Sequence, residues 1–445
     1  MARYKRPKTI EKYWFETYGC QMNIAESEAL EMQLKGIGLT AAEKCEEADI
    51  SIINTCSVRQ SAENRVWGRI GNYSRIKTDH PMILVVMGCM AERLKDSLKK
   101  DAPQVDYVFG TNDKLKIVDV ALGKRRFQRD ESYGFLDNYY KEGDVSTFVP
   151  IMNGCNNFCT YCIVPYTRGR ESSRPLEAVL TEVKFLDSKG VKEISLLGQN
   201  VNSYNYVDED GNTIKFPQLL ERVCEVAGNI EWIRFESPHP KDFSDELIEV
   251  IKKEKKVAKH IHLPIQSGSD RILKIMNRRY DSAKLITLID KLRAAVPEIT
   301  FSTDVMVGFP SETEEELADS QKMMNYLRCT EAFMYYWNPR EGTPATEMDG
   351  QIPDDIKKAR LQSIIDRQQE IFGEEKAKMA HGVHRVLVTK VSRDDENKYL
   401  GRGEHNEMVA FTHDDSVKID DVAEVEYLST KGNTILGRLY KKSEV

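Results

Sequence analysis

One short loop constrains this chain more than any other feature: Cys155-Asn-Asn-Phe-Cys159-Thr-Tyr-Cys162, with three residues in the first gap and two in the second. Three thiolates this close in sequence can take three corners of an iron–sulfur cube or three positions of a zinc site. Structural zinc takes a fourth Cys or His nearby, and the next histidine is His239. The loop therefore leaves one metal position open, where a substrate or cofactor can chelate. It follows a strand-like run at 147–152, so the thiolates sit at the end of a strand.

That run is the first of six. The others are 193–197, 232–236, 260–264, 300–307 and 333–337, with amphipathic helical stretches at 176–186, 243–252, 283–295 and 314–327. Strands alternating with helices argue a parallel sheet covered by helices. Six units fall short of the eight of a full barrel, which predicts a partial (β/α)6 barrel or a strongly curved open sheet. Upstream, runs at 13–18, 49–54, 82–87 and 106–109 also alternate with helical stretches and predict a parallel α/β sheet. Downstream of a long helix at 354–379, runs at 385–391, 408–411, 423–428 and 434–440 predict a small antiparallel β-barrel. The expected division is 11–128, 145–373 and 376–443, with a polar linker around 124–142. The fold class is α/β with an all-β appendix.

A second cysteine set is dispersed. Cys20, Cys56 and Cys89 each lie just past a strand run, in Tyr-Gly-Cys20, Asn-Thr-Cys56 and Met-Gly-Cys89. The carboxyl edge of a parallel sheet is where ligands bind, and three neighbouring strand ends would bring these sulfurs together. Cys45, Cys224 and Cys329 have no such partners and read as packing residues.

The first loop, placed after the first strand of a β/α array, is similar to the signature of the radical S-adenosylmethionine (SAM) superfamily. With the dispersed trio and the terminal barrel, the whole chain resembles a methylthiotransferase. The stretches that carry this are Thr17-Tyr-Gly-Cys-Gln-Met-Asn23, Asn54-Thr-Cys-Ser-Val-Arg59, Gly198-Gln-Asn-Val201, Ser237-Pro-His-Pro240, His262-Leu-Pro-Ile-Gln-Ser-Gly-Ser269 and Thr303-Asp-Val-Met-Val-Gly-Phe-Pro310. The first two resemble the branch that acts on N6-isopentenyladenosine in tRNA, the MiaB type. Other branches act on threonylcarbamoyladenosine in tRNA or on a ribosomal-protein aspartate.

The resemblance implies two [4Fe–4S] clusters. Cys155, Cys159 and Cys162 would hold the one that binds SAM and generates a 5′-deoxyadenosyl radical. Cys20, Cys56 and Cys89 would hold an auxiliary one. Tyr161, Gly198, Ser237 and Gln266 would contact SAM. The reaction would add a methylthio group to C2 of the modified adenosine beside the anticodon, with SAM as both methyl donor and radical source. The resemblance further implies a TRAM domain for RNA, an anticodon stem-loop as partner, an electron donor such as flavodoxin or ferredoxin, and a monomer. The rival from another class is a non-catalytic iron–sulfur RNA-binding or cluster-carrier protein.

Composition fits this. Charged residues make up 30% and the net charge is −7, which excludes a globally basic nucleic-acid protein and leaves local patches. The candidate phosphate contacts are Arg168, Arg170 and Arg174 after the loop, Lys124, Arg125, Arg126 and Arg129 in the linker, and Arg385, Lys390, Arg402, Lys431 and Arg438 in the terminal barrel. No run approaches the roughly 20 apolar residues of a membrane span, and the basic N-terminus has no apolar stretch after it. A cytoplasmic protein with reduced thiols is expected. Asp304 and Glu236 read as buried carboxylates paired with arginines, and His239, His260 and His262 as hydrogen-bonded histidines.

Overall fold

A computed structural model describes residue 7 and residues 9–58, 60–127, 133–136 and 140–441, apart from the side chain of Asp96. Arg59, Arg129, much of the linker and the last residues of the expected 376–443 segment lie outside the described residues.

The first sheet contains β1 (Lys12–Thr17), β2 (Thr40–Ala41), β3 (Ile50–Thr55), β4 (Ile83–Gly88) and β5 (Tyr107–Phe109), ordered β2-β1-β3-β4-β5 and parallel throughout. Every residue of β3 and β4 is buried, as expected of central parallel strands covered on both faces. The two-residue β2 has no sequence signal of its own. Helices α1 (Gln21–Gly36), α2 (Gln60–Asp79) and α3 (Cys89–Asp101) follow β1, β3 and β4.

The six central runs all form strands, arranged as two parallel three-stranded sheets. One orders Trp232–Phe235, Glu193–Leu197 and Ser146–Pro150; the other orders His260–His262, Thr300–Val307 and Glu331–Tyr336. The bridge Ile233–Val257 links them, so the array is one interrupted open barrel. The run read as 147–152 is divided, because Met152–Asn153 leaves the barrel to pair antiparallel with Ser172–Ser173. Helix Glu314–Leu327 starts with a reciprocal cap, Thr313 to the Glu316 amide and Glu316 to the Thr313 amide.

The terminal strands close into a five-stranded barrel. Its fifth member, Lys398–Gly403, is not among the expected runs. Two glycines obscure it: a Cβ on Gly401 would collide with Val386. The expectation of a wholly antiparallel barrel is corrected at one pair, since Met408–Thr412 runs parallel to Thr434–Leu439.

The turn after Lys398–Gly403 docks at the amino end of the central barrel. Arg234 donates to Gly403 O at 2.8 Å and Glu404 O at 2.9 Å, while its Nε meets Glu193 at 2.6 Å. Arg402 donates to the same carboxylate at 3.1 Å. Glu193 is 1% exposed and holds both guanidiniums, so its carboxyl stays below the usual range despite burial. Glu193→Ala leaves Arg234 buried and uncompensated. A loss of about 3–5 kcal/mol is expected, and urea unfolding of the full chain measures it. An unchanged midpoint would show that the barrel floor does not depend on this carboxylate.

Among the described residues, no helix is long and apolar enough to cross a membrane.

Candidate functional site

The dispersed cysteines come from neighbouring strands. β1, β3 and β4 are adjacent, and their carboxyl ends lead into Cys20, Cys56 and Cys89. Cys20 is the N-cap of α1 and Cys89 is the first residue of α3, so Cys89 opens a helix instead of lying in a loop. Helix N-termini carry partial positive charge and favour a thiolate there.

Glycine makes the close approach possible. A Cβ on Gly19 would lie 2.7 Å from the Cys56 Cβ and 2.6 Å from Asn23 Oδ1. Gly88 holds φ +95°, and a Cβ there would lie 2.5 Å from both Asn54 Oδ1 and Thr55 O. Asn23 and Asn54 are buried and lock this corner. Asn23 Nδ2 donates to Asn54 Oδ1 at 2.9 Å, and Asn54 Nδ2 returns to Asn23 O at 2.9 Å. Cys20 Sγ donates to Asn23 Oδ1 at 3.2 Å, and the Val58 amide donates to Cys56 Sγ at 3.3 Å.

The contiguous trio lies past the first barrel strand. Its loop is pinned at its start and its middle: the Cys155 amide donates to Gly169 O at 3.2 Å, and Asn277 Nδ2 donates to Asn157 O at 3.1 Å and Phe158 O at 3.0 Å. Phe158 holds φ +49°, a strained value for an aromatic residue. Arg278 is buried beside the trio and donates to Cys159 Sγ at 3.6 Å, Tyr161 Oη at 3.4 Å and Pro264 O at 2.9 Å.

Burial raises the thiol pKa values of Cys56, Cys89, Cys155 and Cys162. Cys56 is pushed up to about 12 by burial and then by Cys20 and Cys89; Cys155 is pushed to about 11, mainly by burial. Cys89 and Cys162 also move up, chiefly through burial. A buried thiolate at these positions needs a positive partner, and a bound metal deprotonates its coordinating thiols.

The two sets are joined across a seam. Arg168, six residues past Cys162, donates to Glu26 of α1 at 3.0 Å and 3.2 Å. Arg340, which follows the last barrel strand, donates to Val58 O at 3.0 Å and Gln60 Oε1 at 2.8 Å. Met22 and Ala25 of α1 pack with Leu197.

The remaining expected contacts line the carboxyl end of the barrel. Ser237 follows Trp232–Phe235 with φ +58°, and Gln266 follows His260–His262 with φ +65°. Two non-glycine residues in the left-handed region at adjacent strand ends mark a constrained site. Gln266 Oε1 accepts from Tyr335 Oη at 3.0 Å. Tyr161 packs its ring against Phe309. Gly198 needs its missing Cβ because Met152 fills that space. Asp304 pairs with His262 at 3.4 Å, which corrects the expected arginine partner. Burial raises the carboxyl of Glu236, with His262 as the first of the charges that oppose the rise.

Residues 149–324 match the radical SAM superfamily model, and residues 12–110 match the uncharacterized protein family UPF0004. A tRNA-2-methylthio-N(6)-dimethylallyladenosine synthase of Treponema pallidum is 42% identical, over 97% of this chain and 99% of its own length. Its counterpart in Thermoanaerobacter pseudethanolicus is 40% identical, over 96% and 92%. The chain belongs to this synthase family. Among solved structures, a radical S-adenosylmethionine methyltransferase of Kitasatospora setae, with cobalamin and a [4Fe-4S] cluster bound, shares the fold with a TM-score of 0.56 at 12% identity. The match covers 76% of this chain and 77% of that one.

The residues fit the group that the family implies. All six thiols are free, and thiol-only donor sets are what iron–sulfur clusters take. Among the described residues no three His, Cys, Asp or Glu side chains close on one metal ion.

Several functional neighbours were invisible in the sequence. Arg168 and Arg174 looked like phosphate contacts, yet both are buried and paired, with Glu26 and with Glu182. Arg402 is bound to Glu193, Arg385 to Glu231 and Arg438 to Glu426. Lys124 pairs with Asp119 at 2.8 Å. Arg125, Arg126, Arg170, Lys390 and Lys431 remain exposed. Arg278 and Arg340 carried no signal, because Cys159, which Arg278 meets, and Val58, which Arg340 meets, lie over a hundred residues away.

Proposed function

We propose that this chain adds a methylthio group to C2 of N6-isopentenyladenosine (the dimethylallyl form) in tRNA, at the adenosine on the 3′ side of the anticodon. The observation that carries the proposal is the pairing of two thiol trios, each at the carboxyl edge of a parallel sheet, across the seam held by Arg168–Glu26 and Arg340–Val58. The synthase family supplies the reaction class.

In this reading 11–128 carries the auxiliary centre, 145–373 the SAM centre and 376–443 the RNA-binding barrel. Cys155, Cys159 and Cys162 would hold a [4Fe–4S] cluster that would supply the electron for SAM cleavage, and Cys20, Cys56 and Cys89 a second cluster that would supply the sulfur-transfer chemistry. Arg278 fixes Cys159 and Tyr161 in one orientation. Ser237 and Gln266 present their left-handed backbone to SAM. The buried barrel strands and the floor around Glu193 keep bulk water from the bore, which protects a radical. The reductant is a flavodoxin- or ferredoxin-type donor, and the protein acts as a cytoplasmic monomer.

Nucleoside mass spectrometry of tRNA from a strain lacking this chain tests the reading. The 2-methylthio form should disappear while N6-isopentenyladenosine accumulates. Loss of the mark from threonylcarbamoyladenosine instead would assign another branch, and an unchanged profile would favour a non-catalytic protein.

The exposed cations give a separate expectation. tRNA binding should weaken linearly with the logarithm of salt concentration, and Arg170→Ala should flatten that slope by about 0.7–0.9. A salt-independent affinity would contradict phosphate contact.

A further inference from the structure

The contiguous cysteine loop and the turn after it carry two aromatic residues that the thiols do not use. Phe158 stands directly before Cys159, and Tyr166 lies on the short helix Val164–Thr167 that follows Cys162. Large rings gain most when they are buried, yet Tyr166 is 49% exposed and Phe158 only half-buried. Their centroids lie 5.9 Å apart with the ring planes at 88°, an edge-to-face pair. Arg170 sets its guanidinium over the Phe158 ring, 4.3 Å from the centroid, within cation–π range.

The backbone holds these three side chains in place. Phe158 keeps its φ of +49° while Asn277 binds its carbonyl at 3.0 Å. Gly169 has φ +76°, and Gly154 lies so near that a Cβ there would come 2.1 Å from Arg170 O. Glu171, next in the chain, is engaged elsewhere: the Asn156 amide donates to it at 3.0 Å and Asn156 Nδ2 at 3.3 Å. Among the described residues Arg170 makes no ion pair, unlike Arg168 and Arg174. An exposed ring, a second ring behind it and one unpaired cation match the chemistry of a single nucleotide. A base stacks on the ring, and a phosphate meets the N–H edge of a guanidinium whose face is already stacked. An acidic protein surface would call for several cations, and the neighbouring Arg168 is buried on Glu26.

We propose that Tyr166, backed by Phe158, is a stacking site for one unpaired base of the RNA near the target adenosine, with Arg170 on the phosphate of that nucleotide. The base must be unpaired, because a base inside a duplex has no free face. The proposal rests on the reading that this chain acts on tRNA, and it makes the cysteine loop itself part of the RNA contact.

Fluorescence anisotropy of a synthetic anticodon stem-loop carrying N6-isopentenyladenosine, titrated with the anaerobically reconstituted full chain, tests this. Tyr166→Ala should weaken binding about tenfold at every salt concentration, as loss of one base–aromatic stack does. Tyr166→Phe should restore binding, because the ring remains, and Tyr166→Leu should behave as the alanine variant. Arg170→Gln should instead flatten the salt slope. Abasic residues placed one at a time around the target identify the base. At one position the abasic probe should weaken wild type about tenfold and weaken Tyr166→Ala no further. Additive losses at every position would mean that the substitution only disturbs the loop, and they overturn the proposal. Wild-type affinity in Tyr166→Ala overturns it too; slower reduction of that variant by flavodoxin, with dithionite reduction unaltered, would then assign the surface to the electron donor. A wild-type chain that does not bind the stem-loop overturns the tRNA reading and the inference with it.

Discussion

Cys155→Ala should abolish reductive cleavage of SAM. With dithionite as reductant, 5′-deoxyadenosine should fall to the level seen without enzyme. Cys155 is buried at the pinned start of its loop, where its amide donates to the Gly169 carbonyl. The loss should be all or none, because two thiolates leave the cluster without its third corner. Cys224→Ala provides the control. Cys224 is buried in the outer core of the barrel, away from both trios, and its replacement should leave cleavage unchanged. Normal 5′-deoxyadenosine formation by Cys155→Ala would remove this residue from the site.

Cys56→Ala should separate the two halves of the chemistry. SAM cleavage should persist, since the loop of Cys155 is untouched, while methylthio transfer to tRNA should vanish. Cys56 is only 2% exposed, so the substitution removes a single sulfur from a packed corner. The locks between Asn23 and Asn54 do not involve it. Thermal unfolding should therefore change little, and liquid chromatography of digested tRNA should show the unmodified isopentenyl nucleoside. Transfer at the wild-type rate would place the sulfur chemistry somewhere other than the first sheet.

The legible parts of this molecule were those whose cause is local. The Cys155–Cys162 spacing is set within one loop, and Tyr-Gly-Cys20, Asn-Thr-Cys56 and Met-Gly-Cys89 mark strand ends through the turn chemistry of their own residues. Six barrel strands and the long helix Asp354–Met379 followed from periodicity. What escaped was set by distant partners. Lys398–Gly403 reads as a turn until Val386 is seen packing where the Gly401 Cβ would be. Arg168 and Arg174 look like a solvated basic run until Glu26, 142 residues from Arg168, is found beneath it. Arg402 resembles an RNA contact, but its guanidinium reaches the barrel floor at Glu193, 209 residues away. A charge reveals nothing of its burial in one sequence, whereas a thiolate spacing reveals its geometry.

The central claim is that each cysteine trio holds its own four-iron centre. Iron and sulfide analysis of anaerobically reconstituted protein tests it most directly. Wild type should hold about eight irons per chain. Cys155→Ala and Cys56→Ala should each hold about four, and the double variant close to none. About four irons in wild type, or full iron in either single variant, would contradict the account.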